Sequence, residues 1–136
     1  MTPQQLVDLA QEAMARAYAP YSGFKVGAAL LCGDGTVYQG CNIENAAYGP
    51  TNCAERTAFF KAVYDGHREF TAIAVCGGKD GIITGPFPPC GICRQVMREF
   101  CTDDFRIYMV GAGSSYEELT LAQLLPHSFR ASEHMC

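Results

Sequence analysis

No basic excess marks this chain: 10 Lys and Arg stand against 14 Asp and Glu, for a net charge of −4. A face that neutralises phosphates needs the opposite balance, so no nucleic-acid partner is expected. No apolar run approaches membrane-spanning length, so no membrane partner is expected either. The start, Met1-Thr2-Pro3-Gln4-Gln5, lacks the basic and apolar regions of a signal peptide. Neither an internal repeat nor an interdomain linker interrupts the pattern, so residues 1–136 are expected to form a single domain. With 49% hydrophobic and 18% charged residues, a chain of this length can bury a real core. Histidine is scarce as well. His67 falls in a turn, and His127 and His134 lie near the C-terminus, positions that suit surface residues. No Ser-His-Asp pattern stands out, and Gly77-Gly78-Lys79-Asp80-Gly81 lacks the strand-loop-helix context of a phosphate cradle.

Cysteine, by contrast, is abundant. Eight cysteines would suit a disulfide scaffold in a small exported protein. Here no export signal is seen, and three of them belong to a metal motif, which leaves an odd five. Free thiols in a reducing cytoplasm are the expected state.

The metal motif runs from Cys53-Ala54-Glu55-Arg56-Thr57 to Pro89-Cys90-Gly91-Ile92-Cys93. Three thiolates suit Zn²⁺, and three protein ligands leave the fourth tetrahedral position open for water, as a catalytic site requires. A carboxylate two residues from a metal ligand, with a distant Pro-Cys-x-x-Cys, is the known signature of the zinc deaminases in its three-cysteine form. A Cys-x-x-Cys alone is ambiguous; the joint pattern is specific. The competing arrangement is a closed four-thiolate site using Cys41, Cys76 or Cys101, which would leave Glu55 beside the metal without a task. In the open arrangement Glu55 is the acid/base group and the metal is one zinc per chain. Arg56 is placed either to donate to a ligand sulfur or to face solvent.

The pattern predicts helices alternating with strands. Thr2, Pro3 and Gln5 form a capping box for a helix reaching to about residue 18. A strand over 24–32, a hairpin turn at Gly33-Asp34-Gly35 and a strand over 36–41 follow. Asn42-Ile43-Glu44-Asn45 reads as a polar loop at a strand end. Thr51 or Asn52 is placed to cap a helix over 53–64. A strand over 70–76, a Gly/Pro-rich loop over 77–89, a helix over 90–101, a strand over 105–110, a short fifth strand near 116–119 and a helix over 121–125 complete the chain. The fold class is an α/β sandwich with helices on both sheet faces.

With these residues placed, the chain resembles the small, homotetrameric class of cytidine deaminase. The resemblance covers nearly the full length and includes Ala19-Pro20-Tyr21-Ser22, Phe24-x-Val26-Gly27-Ala28-Ala29-Leu30, Gly40-Cys41-Asn42-Ile43-Glu44-Asn45-Ala46, Cys53-Ala54-Glu55-Arg56-Thr57-Ala58, Cys90-Gly91-x-Cys93-Arg94-Gln95-Val96 and Leu124-Leu125-Pro126. It implies a three-layer fold around a five-stranded mixed sheet, a pyrimidine nucleoside substrate, and a homotetramer with shared active sites. It further implies that Asn42 and Glu44 hydrogen-bond the ribose 3′-hydroxyl, Phe24 packs on the nucleoside, and the Ala54 N–H donates to the pyrimidine 2-oxygen. Phe129 and Tyr48 would reach a neighbouring subunit's site. The chain departs from the family at Pro88-Pro89, where Ser-Pro is usual; the Pro88 carbonyl remains able to accept from the departing amino group. Ile92 replaces a small residue, and the 77–89 loop is a few residues longer. A zinc deaminase for another amino-heterocycle, or a non-catalytic zinc module, are the rival readings.

Overall fold

Thr2 opens the first helix, α1 (Pro3–Met14), by the expected capping box: Thr2 Oγ1 accepts from Gln5 N at 3.2 Å while Gln5 Oε1 accepts from Thr2 N at 2.8 Å. This computed structural model describes residues 1–135. The order continues as β1 (Phe24–Cys32), β2 (Val37–Cys41), α2 (Ala54–Tyr64), β3 (Phe70–Lys79), α3 (Gly91–Phe100), β4 (Arg106–Val110), β5 (Tyr116–Thr120), α4 (Leu121–Leu124) and α5 (Ala131–His134).

Five strands form one mixed sheet in the order β2-β1-β3-β4-β5. All neighbours are antiparallel except β3 and β4, which run parallel because α3 carries the chain back between them. Side chains alternate across the sheet. Ala29 of β1 and Ala72, Ala74 and Cys76 of β3 meet Leu6, Val7 and Ala10 of α1 on one face. Val26, Ala28 and Leu30 of β1 and Ile73 and Val75 of β3 meet Ala54, Ala58, Phe59 and Met97 of α2 and α3 on the other. The sheet is therefore covered on both faces, and the three-layer α/β architecture expected from sequence is the one observed. Phe59 anchors the second layer, fully buried with ring centroids 5.1 Å from Phe70 and 6.1 Å from Phe105.

Several boundaries differ from expectation, each for a local reason. α1 stops at Met14 rather than near residue 18, because the Tyr18 backbone leaves the helix to pair with the 42–44 loop: Tyr18 N donates to Asn42 O at 3.0 Å and Glu44 N to Tyr18 O at 2.9 Å. Neither Thr51 nor Asn52 caps α2. Asn52 is held in a two-way backbone pairing with Ile43, and the cap position passes to Cys53. β3 runs on through Gly77 and Gly78 to Lys79, pairing with the start of β1, so the loop expected from residue 77 begins later. α4 ends at Leu124, since the residue before Pro126 is pushed out of helical geometry. α5 carried no sequence signal, being only four residues long. His67, expected at the surface, is partly buried, with the Tyr38 ring edge-on at 5.3 Å.

Gly40 decides where α2 sits. A Cβ there would overlap the Ala54 carbonyl oxygen and come within 2.6 Å of Ala58 N, so only glycine lets the first turn of α2 rest directly on β2. That contact fixes the height of the α2 N-terminus above the sheet.

Candidate metal centre

Two helix N-termini converge on three sulfurs. Cys53 is the cap residue of α2, Cys90 that of α3, and Cys93 lies one turn into α3. Their sulfurs all lie within 4.8 Å of one another, and Cys53 Sγ stands 3.7 Å from Cys90 Sγ. Two thiolates on one tetrahedral zinc, each about 2.3 Å from the ion, stand about 3.8 Å apart. The trio therefore fits a shared zinc ion. Free N–H groups and the positive ends of both helix dipoles favour the thiolate form; Cys93 N donates to Cys90 Sγ at 3.5 Å.

The proposed fourth thiolates are elsewhere. Cys41 Sγ bonds the Arg16 carbonyl at 3.4 Å, Cys76 Sγ lies 3.9 Å from Met14 Sδ under α1, and Cys101 is buried at the far end of α3. Among the described residues none of them joins the trio, so the closed four-thiolate arrangement is not the one adopted.

Glu55, one residue into α2 from Ala54, is only 3% exposed. Burial pushes its carboxyl up to about 7, with the nearby Cys53 charge adding to the rise and the Cys93 side chain opposing it. Arg56 turns inward: its guanidinium donates to Cys53 Sγ at 3.2 Å. Of the two placements open for Arg56, the structure takes the one against the ligand sulfur. Cys53 is held well below the ordinary thiol range, to about 5, first by the Cys93 thiol and then, against the cost of burial, by Arg56. Cys93 moves the other way, pushed up by its hydrogen bond to Cys53 and by burial.

The loop residues form a second layer of the site. Asn42 is buried, with its Oδ1 accepting from Val26 N at 2.9 Å and its Nδ2 donating to Phe24 O at 2.8 Å. That use leaves one amide hydrogen for another acceptor. Glu44 Oε1 accepts from Tyr21 N at 2.9 Å and Ser22 N at 3.1 Å, while Ser22 Oγ donates to Oε2. These donors, Ser22 foremost, hold the Glu44 carboxyl below its usual range, so it is ionised at neutral pH. A cavity of about 320 Å³ opens between Tyr21, Ser22, Glu44, Asn45, Tyr48 and Thr51. Phe24 is exposed beside Lys79, whose Nζ lies 5.8 Å from the ring centroid. The Ala54 N–H, first in α2, has no intrahelical partner.

Three candidate residues are exposed in the chain. Tyr48 is 88% exposed on its loop, and the Phe129 ring, 54% exposed, stacks on His134 at 5.3 Å. Pro88 is exposed next to the buried Pro89. Ile92, which stands where the resemblance implies a small residue, is largely exposed. A cavity of about 640 Å³ lies at the opposite end of α3 between Arg98 and Arg130 and is lined by none of the three candidate ligand cysteines.

Sequence reasoning gave no role to Ser22, Arg94 or Gln95. Arg94 Nε donates to Pro89 O at 2.8 Å and its Nη1 to Leu124 O at 2.7 Å, which pins the turn carrying Cys90. Gln95 Nε2 donates to Phe129 O at 3.0 Å. Ser22 and the Arg94-Gln95 pair sit inside matched motifs, and that was the available signal.

The family model described as the cytidine and deoxycytidylate deaminase zinc-binding region matches residues 1–109. A cytidine deaminase of Sporosarcina psychrophila is 53% identical over 95% of this chain and 92% of its own length. One from Halalkalibacterium halodurans is 50% identical over 98% of both chains. The crystal structure of cytidine deaminase from Burkholderia pseudomallei superposes with a TM-score of 0.87 at 47% identity, covering 95% of this chain and all of that one.

Proposed function

This chain belongs to the cytidine and deoxycytidylate deaminase family, and from that premise we propose that it hydrolyses cytidine and deoxycytidine to uridine and deoxyuridine with release of ammonia. The observation that carries the reading is the trio of sulfurs at zinc-binding separation with a buried, proton-accepting Glu55 beside it. Cys53, Cys90 and Cys93 hold one Zn²⁺ per chain, and the single domain is the catalytic unit. When bound, the ion supplies the Lewis acidity that makes water a nucleophile at neutral pH.

The remaining steps belong to the protein. Glu55 takes a proton from the attacking water and delivers it to the ring nitrogen beside the reacting carbon. A second proton passes through Glu55 to the amino group, which leaves as ammonia and converts the ring to the carbonyl product. A carboxyl lifted towards neutrality suits both taking and giving. Arg56 offsets the excess negative charge of three thiolates around a divalent ion. The Ala54 N–H donates to the pyrimidine 2-oxygen, Phe24 packs on the nucleoside, and the Pro88 carbonyl accepts from the departing amino group.

Asn42 and Glu44 hold the ribose 3′-hydroxyl. An ionised Glu44 in this loop also repels phosphate, so nucleosides and not nucleotides are the substrates. Phe129 and Tyr48, exposed in the single chain, complete the site of a neighbouring subunit in a homotetramer. Among the described residues no helix is long and apolar enough to cross a membrane. The proposed location is the cytoplasm. An ultraviolet assay with cytidine, deoxycytidine and cytidine monophosphate tests the reading: both nucleosides should be turned over and the nucleotide left intact. Zinc-loaded protein that is inert on both nucleosides would overturn it.

A further inference from the structure

A second group of metal-binding side chains lies apart from the cysteine trio. Cys32 ends β1, Asp34 sits in the β1–β2 turn, and His67 lies in the connection between α2 and β3. One candidate ligand atom from each falls within 4.8 Å of the other two. His67 Nδ1 and Asp34 Oδ2 face each other at 3.7 Å, too far for a hydrogen bond. Nitrogen and oxygen ligands on one tetrahedral zinc stand about 3.4 Å apart, so the gap is close to one an ion would span.

Local structure aims each group at this point. Asp34 Oδ1 accepts from Thr36 N at 3.0 Å, which leaves Oδ2 turned to His67. The His67 ring is steadied by the edge of Tyr38, and its backbone N–H donates to Ala62 O at 3.0 Å. Gly33 N donates to Glu69 O at 2.8 Å, tying the end of β1 to the same connection. The Cys32 sulfur is buried and has no hydrogen-bond partner among the described residues.

We propose that Cys32, Asp34 and His67 form a second, structural zinc site that clamps the β1–β2 hairpin to the C-terminal end of α2. A sulfur, an imidazole nitrogen and a carboxylate oxygen are a borderline-soft donor set, suited to Zn²⁺ and not to Mg²⁺ or Ca²⁺. On binding, the Cys32 thiol releases its proton to solvent. Thiolate and carboxylate then cancel the charge of the ion, unlike the trio, whose three thiolates exceed it. The partly exposed Asp34 leaves one position to water. An ion held only by the folded chain stabilises it, and the loop it closes joins the hairpin to the helix that carries Cys53 and Glu55.

The holoenzyme, cleared of loosely held metal and equilibrated with micromolar Zn²⁺, should take up a second equivalent. Its thermal midpoint should rise with zinc and not with Mg²⁺. His67→Ala and Asp34→Asn should each return the uptake to one equivalent and abolish the zinc-dependent rise, while nucleoside turnover is unchanged. Cys32→Ser should do the same; as Cys32 is buried and its variant could fold poorly, the variants at the less buried Asp34 and His67 decide the matter. Uptake of a single equivalent by wild type, or a second equivalent that survives both His67→Ala and Asp34→Asn, would overturn the assignment. The tightly held first equivalent and turnover are read separately, so failure here leaves the catalytic reading distinguishable.

Discussion

Arg56 is the residue whose geometry most changes how the metal centre is understood. Its contact with Cys53 Sγ at 3.2 Å sets it against a candidate ligand sulfur, and we propose that it supports that ligand. Partners of this kind usually contribute 10–100-fold to metal affinity or activity. Arg56→Gln should therefore lower zinc affinity or turnover by about that factor, measured by competition with a chromogenic chelator and by initial rates. Equal affinity and equal rate in the variant would show the contact to be idle. Glu44 offers a second residue-scale test. Charge-assisted hydrogen bonds are the stronger ones, so Glu44→Gln should raise KM for cytidine by about tenfold or more. Its carboxyl is depressed in the folded chain by Ser22 and Tyr21. The stability it contributes is thus present above the ordinary carboxylate range and lost only as pH falls through its lower folded value. The wild-type KM should accordingly hold steady between neutrality and about pH 5, where an unperturbed carboxylate is still largely ionised; a steep rise in that interval would contradict the role.

At the scale of elements, α2 is the part on which both the core and the site depend. Phe59 fills the space between α2, Phe70 and Phe105, and Phe59→Ala should cost about 3–5 kcal/mol of stability by urea unfolding. Gly40→Ala tests position more finely, because the new methyl would displace the first turn of α2. Zinc affinity should fall in the variant even at temperatures where the fold persists; unaltered zinc affinity would show that α2 tolerates the shift.

The same elements show what could be read from sequence. Thr2 and Gln5 announced α1 because capping is a contact between near neighbours. The near-continuous apolar runs of β1 and β3 announced buried strands, and the spacing of Cys53, Glu55, Cys90 and Cys93 announced the metal centre. What escaped reading were bonds between distant segments. The early end of α1 depends on Tyr18 meeting Asn42 and Glu44, and the turn at Cys90 is pinned by Arg94 reaching Leu124, 30 residues away. β3 outran its apolar pattern because Gly77 and Gly78 pair with β1 through backbone alone, which no side-chain pattern reveals.

For the whole molecule, the exposed Tyr48 and Phe129 carry the proposal that the active site spans subunits. If Phe129 serves a neighbour, co-expressed Phe129→Ala and Glu55→Gln chains should form mixed assemblies containing some complete sites. Their activity should then exceed that of either variant alone. A mixture that gives only the average of the two would place Phe129 in its own chain's site. The most direct test of the central claim is zinc content and ammonia release measured together on Glu55→Gln. The account predicts that the ion on Cys53, Cys90 and Cys93 is retained while turnover of cytidine falls by about 10²–10⁴-fold. Zinc retained with turnover intact, or zinc lost along with it, would contradict the assignment of Glu55 as the proton carrier beside a thiolate-held ion.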